Sequence, residues 1–353
     1  MSSPAVGPKA VALGGGRGLH VTLTALRRVT EDVTAVVTVA DDGGSSGRLR
    51  RELGLLPPGD LRKAMVALAD HDGAGALWAR LFQHRFGGTG ALAGHAIGNL
   101  VLAGLLEQLG DPVAVLEEAG RLLGVHGRVL PMCTEPLEIE ADVTGLDDDA
   151  DVVRRIRGQV AIATTPGRVQ RIRLHGPGGP GEPPRGCAQA VEAVLGADVV
   201  LLGPGSWFTS VLPHLLVPEL NEALTRTAAK KVVVLNLVPQ PGETAGFSPE
   251  LHLDVLCEHA PTLRVDAVIA DVDAVPVPDR LRRAAAALGA AAHLSPIALA
   301  GSPDRHDPVA LASGIRRALD GLPAAAAEPS STTLLEQRER GQRETRGGDE
   351  PWR

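Results

Sequence analysis

The chain opens on a short apolar run, Ala10 to Leu13, that breaks into Gly14-Gly15-Gly16-Arg17-Gly18. A helical pattern follows from about Leu19 to Arg28. A β-branched run, Val33 to Ala40, comes next and ends at Asp41-Asp42-Gly43-Gly44. Strand, glycine turn, helix and second strand form the opening unit of a parallel sheet, because a right-handed crossover returns the chain beside its first strand. No other feature restricts the fold so strongly. It predicts a doubly wound α/β architecture, with ligand chemistry in the crevice at the carboxyl ends of the strands.

The rest of the chain fits that plan. Leu61 to Leu68, Leu77 to Phe86, Ile97 to Leu109 and Val113 to Leu123 read as helices. Asp60 and Asp111 stand at N-cap positions, the latter followed by Pro112. Arg128 to Pro131, Leu137 to Val143, Val160 to Ala163 and Val169 to Leu174 read as short strands of a mainly antiparallel insert over about residues 128–175. Gly176 to Gly186 is a Gly/Pro loop. Val199 to Leu202, Val232 to Val238 and Val265 to Ala270 are continuous apolar strands, as in a sheet covered on both faces. Helices are expected over Cys187 to Leu195, Leu220 to Ala228, Leu251 to His259, Arg280 to Leu288 and Pro308 to Leu319. The domain is expected to close near residue 323. Residues 324–353 read as a disordered, polar tail.

Composition narrows the function classes. Only 2% of the 353 residues are aromatic, with no Tyr, and the formal net charge is -7. Base-stacking platforms and a basic footprint are therefore missing, which argues against a nucleic-acid partner. The cysteines, Cys133, Cys187 and Cys257, form no CxxC and have no finger-spaced His. They fit a reduced, cytoplasmic protein. No apolar segment suits a signal peptide or a membrane span.

Three glycine-rich motifs lie where the fold predicts a crevice. Gly14 to Gly18 lets backbone approach a phosphate at a helix N-terminus, or else makes a tight structural turn. It lacks a Walker Gly-Lys-Ser/Thr, and its third dinucleotide-fingerprint position falls on Leu19. In the second motif, Asp41 and Asp42 can hold Mg²⁺ while Gly43-Gly44-Ser45-Ser46-Gly47 offers successive N–H groups to an anion. The bland alternative is an Asp-capped turn. The third group follows two later strands: Gly205, Ser206, Trp207, Thr209 and Ser210 after one, and Asn236, Gln240, Gly242, Glu243 and Thr244 after the next. Their amides and hydroxyls suit a sugar or a nucleobase. His95 and Asn99 enter a helix and suit binding better than catalysis, since no orienting acid accompanies the histidine. Arg62, in a first helical turn, opposes the dipole and suggests an anion. Trp78, Phe82 and Phe86 recur at helical spacing as a core stripe. Trp207, Phe208 and Phe247 fall in or beside the later motifs, and Trp207 is expected to shape the pocket.

These motifs occur in the order Val11 to Gly18, Asp41 to Gly47, Pro57 to Arg62, His95 to Leu100, Gly203 to Ser206 and Gln240 to Thr244. Over about residues 9–320 the chain resembles the YvcK-type gluconeogenesis factor family, the bacterial branch of the CofD-like superfamily. The resemblance implies a Rossmann-like core and a cytoplasmic protein that binds UDP-sugars such as UDP-N-acetylglucosamine. It also implies a regulatory role in cell shape and cell-wall synthesis during gluconeogenic growth, with cell-wall regulators as partners and a homo-oligomer as an option. The superfamily's enzymes are 2-phospho-L-lactate transferases that use a nucleotide diphosphate-linked donor and Mg²⁺. Their first glycine loop and Asp pair resemble Gly14 to Gly18 and Asp41-Asp42. Their Pro-Asp-Leu-Asp string stands here as Pro58-Gly59-Asp60-Leu61-Arg62, and an Arg in place of a carboxylate weakens the case for the same transfer. A nucleotide-sugar-binding regulator is thus the first reading, a phospholactyl-type transferase the alternative, and NAD is not expected.

Overall fold

The computed structural model describes residues 7–149, 151–179 and 182–322. The first half runs β1 (Ala10–Gly14), α1 (Gly16–Leu26), β2 (Val33–Val37), α2 (Gly44–Leu53), α3 (Pro58–Leu68), α4 (Gly73–Gln83), α5 (Ile97–Leu109), α6 (Pro112–Leu123) and β3 (Arg128–Pro131). An insert follows, with β4 (Glu138–Thr144), β5 (Arg154–Arg157), α7 (Gln159–Ala163) and β6 (Arg168–His175). The second half supplies α8 (Ala188–Leu195), β7 (Val199–Leu202), α9 (Pro218–Arg226), β8 (Lys230–Val234), α10 (Pro249–His259), β9 (Ala267–Asp271), α11 (Pro278–Ala287) and β10 (Ala291–Ser295). A small hairpin, β11 (Ala298–Leu299) with β12 (Ser302–His306), and α12 (Pro308–Asp320) complete it.

Seven strands form one parallel sheet in the order β10-β9-β8-β7-β1-β2-β3. The order turns back between β1 and β7, so those neighbours diverge into helices at their carboxyl ends. All five residues of β1, β2 and β9 are buried, and they are Ala, Val, Leu, Ile, Gly, Thr and Asp only. Small aliphatic chains on both faces let helices cover the sheet without aromatic bulk. The expected doubly wound α/β class is what the chain adopts.

Several elements differ from the sequence reading. β3 pairs with β2 in the parallel sheet, so the antiparallel sheet begins at Glu138, not at residue 128. Its order is β5-β4-β6. Val160 to Ala163 is helix α7, not a strand, because Gly158 at φ 99° ends β5 and the Val160 N–H finds a carboxylate cap from Asp42. Asp60 is not an N-cap. Pro57 holds that position and Asp60 lies inside the first turn of α3. Asp111 does cap α6, accepting from the Val113 N–H at 3.1 Å. Phe82 is fully buried, as a core stripe requires, while Trp78 and Phe86 are half-buried.

The insert begins and ends at one place: the Cys187 N–H donates to the Met132 carbonyl at 2.9 Å. Its inner face, with Ile139, Ala141, Val143 and Ile172, joins the main core. Its opposite face carries Glu140 among Arg155, Arg157 and Arg173. Among the described residues no helix is long and apolar enough to cross a membrane. The tail expected from residue 324 lies outside the described residues.

Candidate functional site

The reversal point between β1 and β7 brings the first and third motifs together. Two buried threonines fasten it. Thr22 donates to the carbonyls of Gly18 and Gly203, each at 3.1 Å. Thr38 donates to the Gly14 carbonyl at 3.2 Å and the Ser210 carbonyl at 2.9 Å. A Cβ on Gly18 would run into the Pro204 carbonyl, so glycine is required by this close approach. Helix α1 begins at Gly16 with no side-chain cap, which leaves the N–H groups of its first turn open to an anion. On the neighbouring strand, α2 also begins uncapped, at Gly44, with Ser45, Ser46 and Gly47 in its first turn. The predicted phosphate residues Gly14 to Gly18 and Gly43 to Gly47 therefore sit at two adjacent strand ends. The Arg17 side chain is exposed.

The two carboxylates of Asp41-Asp42 serve different partners. Asp42 accepts from the Val160 N–H at 2.9 Å and thereby ties β2 to the insert. Asp41 accepts from the Gly43 N–H at 3.0 Å and faces α3. A Cβ on Gly59 would lie 2.9 Å from Asp41 Oδ2, and one on Gly15 would lie 2.6 Å from Asp60 Oδ2 and 3.2 Å from Ser210 Oγ. The acidic partner of Asp41 is thus Asp60. Burial pushes the Asp41 carboxyl above its ordinary range, and Asp60 pushes the same way; Gly43, Ser46 and Lys63 oppose. Lys63 meets Asp60 at 2.8 Å. Asp42 Oδ1 thus caps α7, while Asp41 turns toward the acidic side chain of α3. Among the described residues no group of three or more His, Cys, Asp or Glu has metal-site geometry.

Behind this acidic pair runs a buried polar chain. Ser45 Oγ meets His95 Nδ1 at 3.0 Å and accepts from Asn99 Nδ2 at 2.9 Å. Asn99 Oδ1 accepts from Arg62 Nε at 2.8 Å, and Arg62 also donates to the Phe82 carbonyl and to Gln83. Arg62 is 2% exposed. Burial and nearby Arg85 lower its guanidinium to about 10, against Asp60 and Asp41. His95 is 3% exposed, and burial lowers its pKa, with Arg48 adding to the shift. His95 and Asn99 therefore hold the α2 N-terminus from behind. Arg62 is a strut of this chain rather than a free anion receptor.

The second-half loops divide in the same way. Asn236 and Gly205 exchange two hydrogen bonds, Nδ2 to carbonyl at 2.8 Å and N–H to Oδ1 at 2.9 Å. Gln240 reaches Ser206 Oγ at 3.5 Å, and its N–H donates to Thr244 at 2.8 Å. Glu243 is 2% exposed and accepts from the Phe208 N–H at 3.1 Å and from the Thr209 hydroxyl. It caps a turn of π-helix over Trp207–Val211. Burial raises its pKa, against the hydroxyl and backbone donors. Trp207 is fully buried and packs edge-on to His252, with centroids 5.2 Å apart. The ring expected to shape the pocket is core, as are Thr209, Glu243 and Thr244. Gly205, Ser206, Asn236, Gln240 and Gly242 stay half-buried at the crevice, with Ser210 5% exposed behind Gly15. A Cβ on Gly242 would strike the Ala163 carbonyl, so α7 spans from the β2 loop toward the β8 loop.

Sequence reasoning left Asp60 between an N-cap and a ligand role and missed Lys63. The available signal was Pro58: proline favours the first helical position, which puts Asp60 in the first turn and Lys63 three residues on.

Comparison with known proteins identifies the family and the fold. A family model described as "2-phospho-L-lactate transferase CofD" matches residues 10–296. A "Putative gluconeogenesis factor" from Mycobacterium leprae (strain TN) is 58% identical over 337 residues, covering 95% of this chain and 91% of that protein. Its namesake in Mycobacterium tuberculosis (strain ATCC 25618 / H37Rv) is 57% identical over 349 residues, covering 97% and 98%. One from Streptococcus pyogenes serotype M1 is 39% identical over 270 residues, covering 76% and 80%. A crystal structure of a UPF0052 family member from Bacillus halodurans is similar with TM-score 0.76 and 34% identity, covering 87% of this chain and 98% of that one.

Proposed function

The chain belongs to the CofD family, and from that premise we propose that it is a gluconeogenesis factor that works by binding a nucleotide sugar, UDP-N-acetylglucosamine being the first to test. The uncapped starts of α1 and α2, at the carboxyl ends of the neighbouring strands β1 and β2, carry this reading. Two sets of free N–H groups on adjacent strand ends suit a diphosphate, whose charge the helix dipoles favour. Gly205, Ser206, Asn236, Gln240 and Gly242 border the same crevice and suit the sugar or the base. Binding without turnover fits a cytoplasmic regulator of cell shape and wall synthesis on gluconeogenic carbon sources.

Isothermal titration of the full chain with UDP-N-acetylglucosamine tests the proposal. Saturable heat with no product by chromatography is the expected result. Absence of heat with every nucleotide sugar tried overturns it. Ser206→Ala, at a half-buried hydroxyl bordering the crevice, is expected to weaken binding by several-fold through loss of one donor.

A further inference from the structure

We propose that Lys63 is the cation through which this crevice accepts a nucleoside diphosphate, so that binding needs no divalent metal ion. The inference rests on the nucleotide-sugar reading and adds the identity of the counter-charge.

A diphosphate laid across the starts of α1 and α2 meets the carboxylates of Asp41 and Asp60, which lie against Gly59 and Gly15. Negative charge entering there needs a cation between ligand and protein. Asp42, the second carboxylate of its motif, engages its Oδ1 with the Val160 N–H of the insert. The protein already supplies the positive charge. Lys63 Nζ stands 2.8 Å from Asp60 Oδ1, and its field reaches Asp41 as well. Arg62 balances the second carboxylate from behind, but its donors are engaged by Asn99, Phe82 and Gln83. These two cations offset the charges of Asp41 and Asp60 without a divalent ion.

Lys63 is also placed to reach a ligand. Its side chain is 31% exposed, whereas Arg62 is 2% exposed. An ammonium has three donors, and Asp60 takes one. The Lys63 carbonyl meets His20 Nδ1 of α1 at 3.2 Å, which ties this turn of α3 to the helix whose N-terminus faces the phosphate. A lysine at a phosphate site acts as a point charge and needs no bidentate geometry.

Titration of the full chain with UDP-N-acetylglucosamine, in EDTA and in Mg²⁺ buffers, tests the idea. Wild-type affinity is expected to agree within about twofold between the buffers. Lys63→Met, which keeps the apolar stem, is expected to bind about tenfold or more weakly in EDTA and to regain affinity with Mg²⁺. Lys63→Arg is expected to stay near wild type, and unchanged melting temperatures confirm that the variants fold. Wild-type binding that disappears in EDTA overturns this inference and leaves the nucleotide reading standing, as does Lys63→Met binding like wild type. No binding by any form in either buffer overturns both.

Discussion

His214 sits wholly buried between two carbonyls, with Nε2 3.1 Å from Val36 O and Nδ1 3.3 Å from Val211 O. A neutral imidazole donates from one nitrogen only, so one of these contacts lacks a proton. Protonation would satisfy both, yet burial wins and lowers the pKa to about 4. An unfolded histidine titrates near 6.5, so between these values the unfolded chain holds a proton that the folded chain refuses. Stability therefore falls as pH drops through that window. His214 alone is expected to remove about 2 kcal/mol between pH 7 and pH 5, and urea titrations of wild type and His214→Gln would show the smaller pH dependence in the variant. Glycines make a sharper contrast. Gly18→Ala drives a Cβ into the Pro204 carbonyl, which cannot swing away, and is expected to cost about 2 kcal/mol or more. Gly104 in α5 meets nothing within 4 Å, so Gly104→Ala is expected to stabilise by about 0.5–1 kcal/mol. Equal destabilisation by both would show that neither contact matters.

At the scale of elements, α7 shows how a distant side chain decides local structure. Five residues are too few to hold a helix alone, and Val160 and Ile162 favour a strand. The Asp42 carboxylate, 118 residues away, supplies the missing cap. Asp42→Ala is expected to cost about 1 kcal/mol and to speed hydrogen exchange at the Val160 amide several-fold, with β1 and β7 amides unchanged. Composition, rather than length, explains what could be read from sequence. β1, β2, β7, β8 and β9 announce themselves as aliphatic runs, and the Gly14 and Gly43 motifs as their ends. β3 also reads as a strand over Arg128 to Pro131, though not as a member of the parallel sheet, and β10, Ala291–Ser295, carries no aliphatic run. Asp60 could not be paired with Asp41 from sequence, because the packing of α3 on α1 makes that pair. Trp207 beside Ser206 looked like a pocket residue. A π-helical turn directs it inward to His252, and nothing in the local sequence specifies that turn.

Across the whole sheet, β3-β2-β1 lie to one side of the reversal and β7-β8-β9-β10 to the other. A ligand at the reversal touches loops from both halves and should stabilise them as one unit. UDP-N-acetylglucosamine at 100 times its Kd is expected to add about 2.7 kcal/mol to unfolding, and a smaller gain confined to one half would argue against a shared site. Hydrogen exchange should slow in Gly14–Gly18, Gly43–Gly47 and Gly203–Ser206 together. The hydrogen bond from Cys187 to Met132 has a different consequence. Because the insert leaves and rejoins the body at neighbouring residues, it could be resized without rethreading a single strand of the parallel sheet. The crevice floor and its α7 roof are then structurally separable pieces, joined through the backbone only where the insert leaves and rejoins the sheet.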